Sequence, residues 1–263
     1  MSLSRVWALM TRHLYLLRGS WPRLLELAYW PMVQMILWGF ITQFFMTHSN
    51  WVAQAAGVLI AAVLLWDVLF RAQLGVSVSF LEEMWSRNLG HLFVAPLRPV
   101  EFLAALMGMS LVRTTIGLLP AVLVAIPLYH FNLFSLGLPL IAFFANLLVM
   151  GWVIGIAVSA LILRYGLGAE SFAWVAVFAL APISGIYYPV ATLPAWLQPL
   201  ALSLPSTHVF EGMRAVLFQD AFPVVHFVAA IALNAILFVV AATAFLIAFQ
   251  RARTLGKLLQ MGE

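Results

Sequence analysis

The chain has 263 residues, 65% of them hydrophobic and 8% charged, with a mean hydropathy of +1.05. Soluble domains carry roughly 25% charged residues, so a chain this apolar cannot cover its surface in water, and a soluble enzyme or binding domain is excluded. With no cysteine there is neither a disulfide framework nor a thiolate metal site, and the net charge of +4 comes from basic residues scattered at segment ends without a run, which sets nucleic acid aside as a partner.

A bilayer core about 30 Å thick needs ~20 apolar residues in helix. Helix is the default because lipid offers free backbone groups no partner. Residues 1–22 read as a separate element. Val6, Leu9, Met10, Leu14 and Leu17 recur at helical spacing, with Arg5, Arg12 and Arg18 between them. The pattern predicts an amphipathic helix in the membrane interface or a simple basic anchor, and it lacks the apolar core and cleavage site of a signal peptide.

Six apolar segments follow, at about 24–46, 52–72, 102–128, 136–163, 171–188 and 224–249. They are continuously apolar, whereas barrel strands alternate. The expected fold is a single all-α polytopic domain over 1–263 with six spans. With the N-terminus inside, the inner segments hold Arg5, Arg12, Arg18, Arg23, Arg71, Arg87, Arg98, Arg164, Arg251, Arg253 and Lys257, which is 11 of the 13 basic residues. The connections 47–51 and 129–135 hold none. This bias predicts both termini in the cytoplasm.

Between the second and third spans, residues 80–99 read FLEEMWSRNLGHLFVAPLRP. Leu81, Met84 or Trp85, Asn88 or Leu89, and Leu92 mark one stripe of a short helix over 80–95. Glu83 precedes Arg87 by four, the favourable order for a helical ion pair of about 0.2–0.5 kcal/mol. Pro96 and Pro99 then end the helix. Two readings stay open: a lever gripped by a soluble partner, or a solvated loop helix with none.

Polar groups inside the spans are functional candidates by default. Asp67 and Arg71, four apart near the inner end of the second span, are expected to pair. Arg113 stands 11 residues into the third span, and that span is long enough to protrude from the bilayer and keep it wet. Asn146 and Asn234 suit bonds between helices. Trp30, Trp38, Trp152 and Trp174 suit either packing or the lining of a path.

Residues 189–223 are apolar but punctuated by Pro189, Pro194, Pro199, Pro205 and Pro223. Pieces at 194–204 and 206–218 are too short to span and read as two re-entrant or interfacial helices on the outer side. Glu211 and Arg214, three apart, pair on one face, either to neutralise each other or to act in gating. His208 and Glu211 form H-x-x-E without the second histidine of a metalloprotease helix, so no metal or hydrolytic centre is expected.

Two stretches carry a resemblance. The run E-x-x-x-R-N-L-x-x-L-x-x-x-P-L, formed by Glu83, Arg87, Asn88, Leu89, Leu92, Pro96 and Leu97, resembles the cytoplasmic loop of ABC-2-type transporter permeases. The block SGIYYPVATLPAWLQPLALSLPSTHVFEGMR (184–214), which includes Pro189, Trp196, His208, Glu211 and Arg214, is similar to the family's outer block. The resemblance implies the membrane subunit of a bacterial exporter in the inner membrane. It implies a dimer with a second permease copy and two copies of a separate cytoplasmic ATP-binding subunit. Glu82, Glu83, Arg87, Asn88 and His91 would then contact that ATPase, and the 189–223 region would cap the outer end of a path for a drug, a lipid or a lipid-linked glycan. The chain has one lysine, Lys257, and no G-x-x-x-x-G-K-[ST] loop. No cofactor is therefore expected on this chain, and ATP and Mg belong to the partner. A proton-coupled secondary transporter and a lipid-modifying membrane enzyme are the alternatives; the first lacks a mid-membrane carboxylate, the second a convergent acid, base or metal group.

Overall fold

The computed structural model describes residues 1–48, 50–129, 132–219 and 222–256. Ser49 of the connection 47–51, His130 and Phe131 of the connection 129–135, Asp220 and Ala221 of the 189–223 block, and Lys257 lie outside the described residues. Among the described residues the chain is all-helical, with ten α-helices: α1 (Leu3–Arg18), α2 (Trp21–His48), α3 (Asn50–Trp85), α4 (Leu89–Val94), α5 (Pro99–Tyr129), α6 (Leu138–Tyr165), α7 (Phe172–Leu180), α8 (Gln198–Leu202), α9 (Pro205–Gln219) and α10 (Val224–Thr254).

Five helices, α2, α3, α5, α6 and α10, are long and apolar enough to cross a membrane. The expected segment at 171–188 is broken. Its regular helix, α7, is nine residues long, and 3-10 turns flank it at Leu167–Ala169 and Ala181–Ile183. Pro182 explains the downstream break, because its ring cannot continue the helix and supplies no N–H. Gly185, at φ 66°, turns the chain away.

Helix α3 is the hub, packing on α2, α5, α6 and α7. In its most apolar stretch 83% of residues are buried, against 17% in α2 and in α10. Those two outer helices therefore turn most of their apolar surface away from this chain. The span of α3 also runs 13 residues beyond the expected end at 72. Gln73, Ser77 and Ser79 interrupt the apolar run, which is why the sequence reading stopped there, yet all three are fully buried. Gln73 Nε2 donates to the Ala173 carbonyl at 2.9 Å and to Ser77 Oγ at 3.0 Å, fastening α7 to α3. Ser110 Oγ donates to the Ala72 carbonyl at 2.7 Å and accepts from Trp152 Nε1 at 3.1 Å, joining α3, α5 and α6.

Apolar side chains form two stacked clusters. One joins Leu65, Leu69, Phe143 and Phe210; the other joins Phe80, Phe102, Phe245 and Phe249. The α3–α6 seam depends on small residues, as it must where lipid supplies little force between helices. A Cβ on Gly151 would sit 2.5 Å from Ala72 Cβ and 2.6 Å from the Leu69 carbonyl oxygen, and one on Gly155 would sit 2.9 Å from the Gln73 carbonyl oxygen. Backbone cannot yield as a side chain does. Gly151→Val is expected to destabilise the fold by about 3 kcal/mol, read as a lower melting temperature in detergent.

Helix α1 does not spend its apolar stripe on lipid. Val6, Leu9, His13 and Leu17 are buried, and the helix packs mainly on α5. Trp7 and Tyr15 stay exposed on the other face, suited by their amphipathic rings to a membrane interface.

Candidate functional site

The elbow after α3 is built differently from the helix expected over 80–95. Residues 80–85 are the last turns of α3, and only Leu89–Val94 form the separate helix α4. The break is a complete Schellman turn. The Arg87 N–H donates to the Met84 carbonyl at 2.9 Å, and the Asn88 N–H donates to the Glu83 carbonyl at 3.0 Å. Arg87 takes the left-handed position at φ 53°, among the described residues the one non-glycine there. This geometry removes the expected Glu83–Arg87 ion pair, because Arg87 has left the helix on which the four-residue spacing would place it over Glu83. Its side chain is exposed. Arg87→Gly is expected to raise stability by about 1 kcal/mol, by relieving the left-handed strain, whereas a real Glu83–Arg87 pair would make it destabilising; thermal unfolding decides.

Glu83 is instead the centre of a buried polar junction, 1% exposed. Its Oε1 accepts from Arg12 Nη1 on α1, and its Oε2 accepts from Asn88 Nδ2 at 2.7 Å. Glu82 Oε2 accepts from Arg113 Nη2 on α5 at 2.8 Å, and its Oε1 from Arg23 Nη1 on α2 at 3.4 Å. His13, fully buried, sits between the two carboxylates: Nδ1 is 3.6 Å from Glu82 and Nε2 is 3.3 Å from Glu83, without hydrogen-bond alignment to either. Two adjacent carboxylates at the end of one helix thus bind basic side chains from three others and the residue that precedes α4. Arg113 needs no protruding span to escape the bilayer, since its charge is met by Glu82.

A second clasp lies beside the first. Glu101, 1% exposed, accepts from the Ser2 N–H at 2.7 Å and the Arg98 N–H at 3.0 Å, and pairs with Arg5 Nη1 at 3.1 Å. Its reach back to Arg98 is the carboxylate half of a capping box at the start of α5. Arg5 Nη1 also donates to the Pro96 carbonyl. Both ends of the elbow are therefore fastened to α1. Outside these clasps the elbow is open: His91 is exposed, and Val94, apolar, is 87% exposed.

The other polar residues fall elsewhere. Asp67 Oδ2 accepts from Arg71 Nε at 2.6 Å, with both residues buried. The pair lies in the middle of α3 and not near its end, because the helix continues to Trp85, so the chain does hold a mid-helix carboxylate, contrary to the sequence expectation, but one bonded to Arg71. Asn234 Nδ2 on α10 donates to the Asn146 carbonyl and to Asn146 Oδ1 on α6 at 3.0 and 3.1 Å. Trp152 packs inside the bundle, Trp38 stacks on Tyr187 at 4.9 Å, and Trp30 and Trp174 are exposed.

In the 189–223 block, the expected pieces become a five-residue α8 and a 15-residue α9. Glu211 lies 3.1 Å from Arg214 Nη2 and accepts from the Val190 N–H at 2.7 Å, pinning the chain just after the exposed Pro189 to α9. Trp196 is 76% exposed. His208 Nε2 donates to the Leu202 carbonyl at 2.9 Å, so its Nδ1 accepts from His226 Nδ1–H at 3.1 Å. Burial holds the His208 imidazole below its ordinary pKa. Among the described residues no group of three or more His, Cys, Asp or Glu is placed to hold a metal.

The site residues named from sequence therefore separate into an inner group, Glu82, Glu83, Asn88 and Arg113, which the fold brings together, and scattered ones, Arg87 and His91 on the elbow surface and Asp67, Arg71, Asn146 and Asn234 within the bundle. Arg5, Arg12, His13, Arg23 and Glu101 were not named as site residues from sequence.

A search of curated proteins finds no match. The profile of the ABC-2 type transporter family matches residues 4–218, from the start of α1 to the end of α9. That stretch covers the Glu82–Glu83 junction, the elbow and the 184–214 block, and the chain belongs to the ABC-2 type transporter family, a multi-pass membrane permease of the kind that pairs with an ATP-binding subunit.

Proposed function

We propose that the chain is the permease of an ATP-driven exporter, working as a dimer with two copies of a separate ATP-binding subunit that grips α4 from the cytoplasm. The observation that carries this reading is the buried junction around Glu82 and Glu83. A push on α4 acts on Asn88, whose side chain is bonded to Glu83, and Glu82 and Glu83 are bonded to α1, α2 and α5. The force therefore reaches four long helices through charge-assisted bonds, which are roughly twice as strong as neutral ones. Exposed His91 and Val94 supply the surface for the partner, and Arg87 flanks it.

The apolar helical stretch Leu167–Ile183 is too short to span as regular helix, but it lies in order between α6 and the outer block and completes six passes. The basic residues then fall inside, with both termini in the cytoplasm of the inner membrane. Helices α8 and α9 dip into the outer leaflet and cap the path, held by the Glu211–Arg214–Val190 clasp. The cargo is amphipathic or lipid-like, in keeping with a chain whose unpaired outer faces are apolar.

The test is purification of the tagged permease from its own cells, with mass spectrometry of what stays bound. The reading expects a polypeptide carrying a phosphate loop, in equal number with the permease, and ATP hydrolysis by the complex. A permease that moves cargo alone in proteoliposomes without nucleotide overturns it.

A further inference from the structure

At the end of the bundle that carries the junction, a cleft of about 690 Å³ separates α6 from α10. Its size is that of a small-ligand site, and it takes no part in either clasp. Alanines of both helices line it, among them Ala157 and Ala160 on α6 and Ala244 and Ala248 on α10, together with larger apolar side chains such as Leu161 and Ile247. Arg164 from the last turn of α6 and Arg251 from the last turn of α10 also line it. Both arginines are exposed, and among the described residues neither makes a hydrogen bond or ion pair through its side chain. The Arg164 guanidinium carbon lies 5.2 Å from the centroid of the Tyr165 ring, an arrangement that leaves its N–H edge available.

A cation at a helix C-terminus is favoured by the helix dipole alone. That accounts for either arginine, but not for an apolar cleft with both at its edge. Helix α10 turns most of its apolar surface away from this chain, and in a bilayer such a surface faces lipid, which gives a lipid a route to the cleft. Apolar walls with two unpaired guanidinium groups match a molecule with a hydrocarbon chain and a phosphate, since guanidinium binds phosphate through paired N–H donors. Basic pockets between transmembrane helices on the cytoplasmic side take anionic headgroups for the same reason. We propose that the α6–α10 cleft is a binding site for an anionic phospholipid, with one acyl chain against the alanine walls and the phosphate between Arg164 and Arg251. The site requires a membrane protein but does not depend on export or on a dimer.

The test uses the full chain in nanodiscs of phosphatidylcholine doped with a photoactivatable phosphatidylglycerol, the labelled peptides being mapped by mass spectrometry. Labelling is expected on 157–165 and 244–255. Arg164→Gln with Arg251→Gln is expected to reduce it about thirty-fold, at roughly one surface-lipid interaction lost per arginine. Ala244→Trp, which fills the groove and leaves both charges, is expected to abolish it, while Arg253→Gln, outside the cleft, leaves it unchanged. Equal labelling by a photoactivatable phosphatidylcholine, or labelling that survives both the charge and the groove variants, overturns the proposal. So does displacement by millimolar inorganic phosphate combined with indifference to Ala244→Trp, which identifies a free-phosphate site without a chain pocket.

Discussion

Glu82→Ala is expected to destabilise the protein by about 3–5 kcal/mol, the cost of leaving a buried charge without its partner. The charge left behind is Arg113, whose side chain is 9% exposed in the middle of an apolar helix. Arg23 loses a bond as well, but it is half exposed and rehydrates. Adding Arg113→Leu to Glu82→Leu removes both charges of the main pair and is expected to restore most of the melting temperature, since well-packed apolar replacements of buried pairs are often neutral or better. The same double variant is expected to leave ATP hydrolysis uncoupled from transport. Fold and coupling thus separate: rescue of stability without rescue of transport assigns the pair to force transmission, whereas rescue of both assigns it to structure alone.

Asp67→Ala is expected to have a comparable effect, again about 3–5 kcal/mol, for a different reason. Asp67 and Arg71 are 3% and 8% exposed, lie on one face of α3 and meet at 2.6 Å. No water reaches Arg71 once the aspartate is gone, and a lone arginine at mid-membrane is costly. Here Asp67→Leu with Arg71→Leu is expected to recover stability to within about 1 kcal/mol and to keep transport, because the pair joins residues of one helix and transmits nothing between helices. The contrast with the Glu82–Arg113 pair, which joins α3 to α5, is the informative comparison.

The membrane class, the helical fold and the family were legible in the sequence because they rest on long-range features: continuous apolar runs and two motif blocks. Local geometry was less legible. The Glu83–Arg87 spacing fits a helical pair, but a left-handed residue at 87 ends the helix between them, and arginine gives no sign of it where glycine would. Gln73, Ser77 and Ser79 look like the end of a span because hydropathy scores the side chain, not the carbonyl on a neighbouring helix that accepts from Gln73 Nε2. Segment 171–188 is apolar enough to span, yet Pro182 and Gly185 break it. One signal was available and not used. His13 lies four residues from Leu9 and four from Leu17, on the stripe that is buried, so a titratable side chain at that place pointed to a charged partner from another helix. The partners, Glu82 and Glu83, are 69 and 70 residues away, and no pattern along the chain joins them.

The central claim is that an ATP-driven partner grips the exposed face of α4 and moves the bundle through the Glu82–Glu83 junction. The most direct measurement is binding and ATP-driven transport by the permease–ATPase complex carrying His91→Ala and Val94→Asp. Both residues are exposed, so the permease should insert and melt as the unaltered protein does. The account predicts affinity for the ATPase reduced more than about ten-fold, as for the loss of an interface anchor, and transport lost with it. Unchanged binding and unchanged ATP-driven transport in that variant would contradict it.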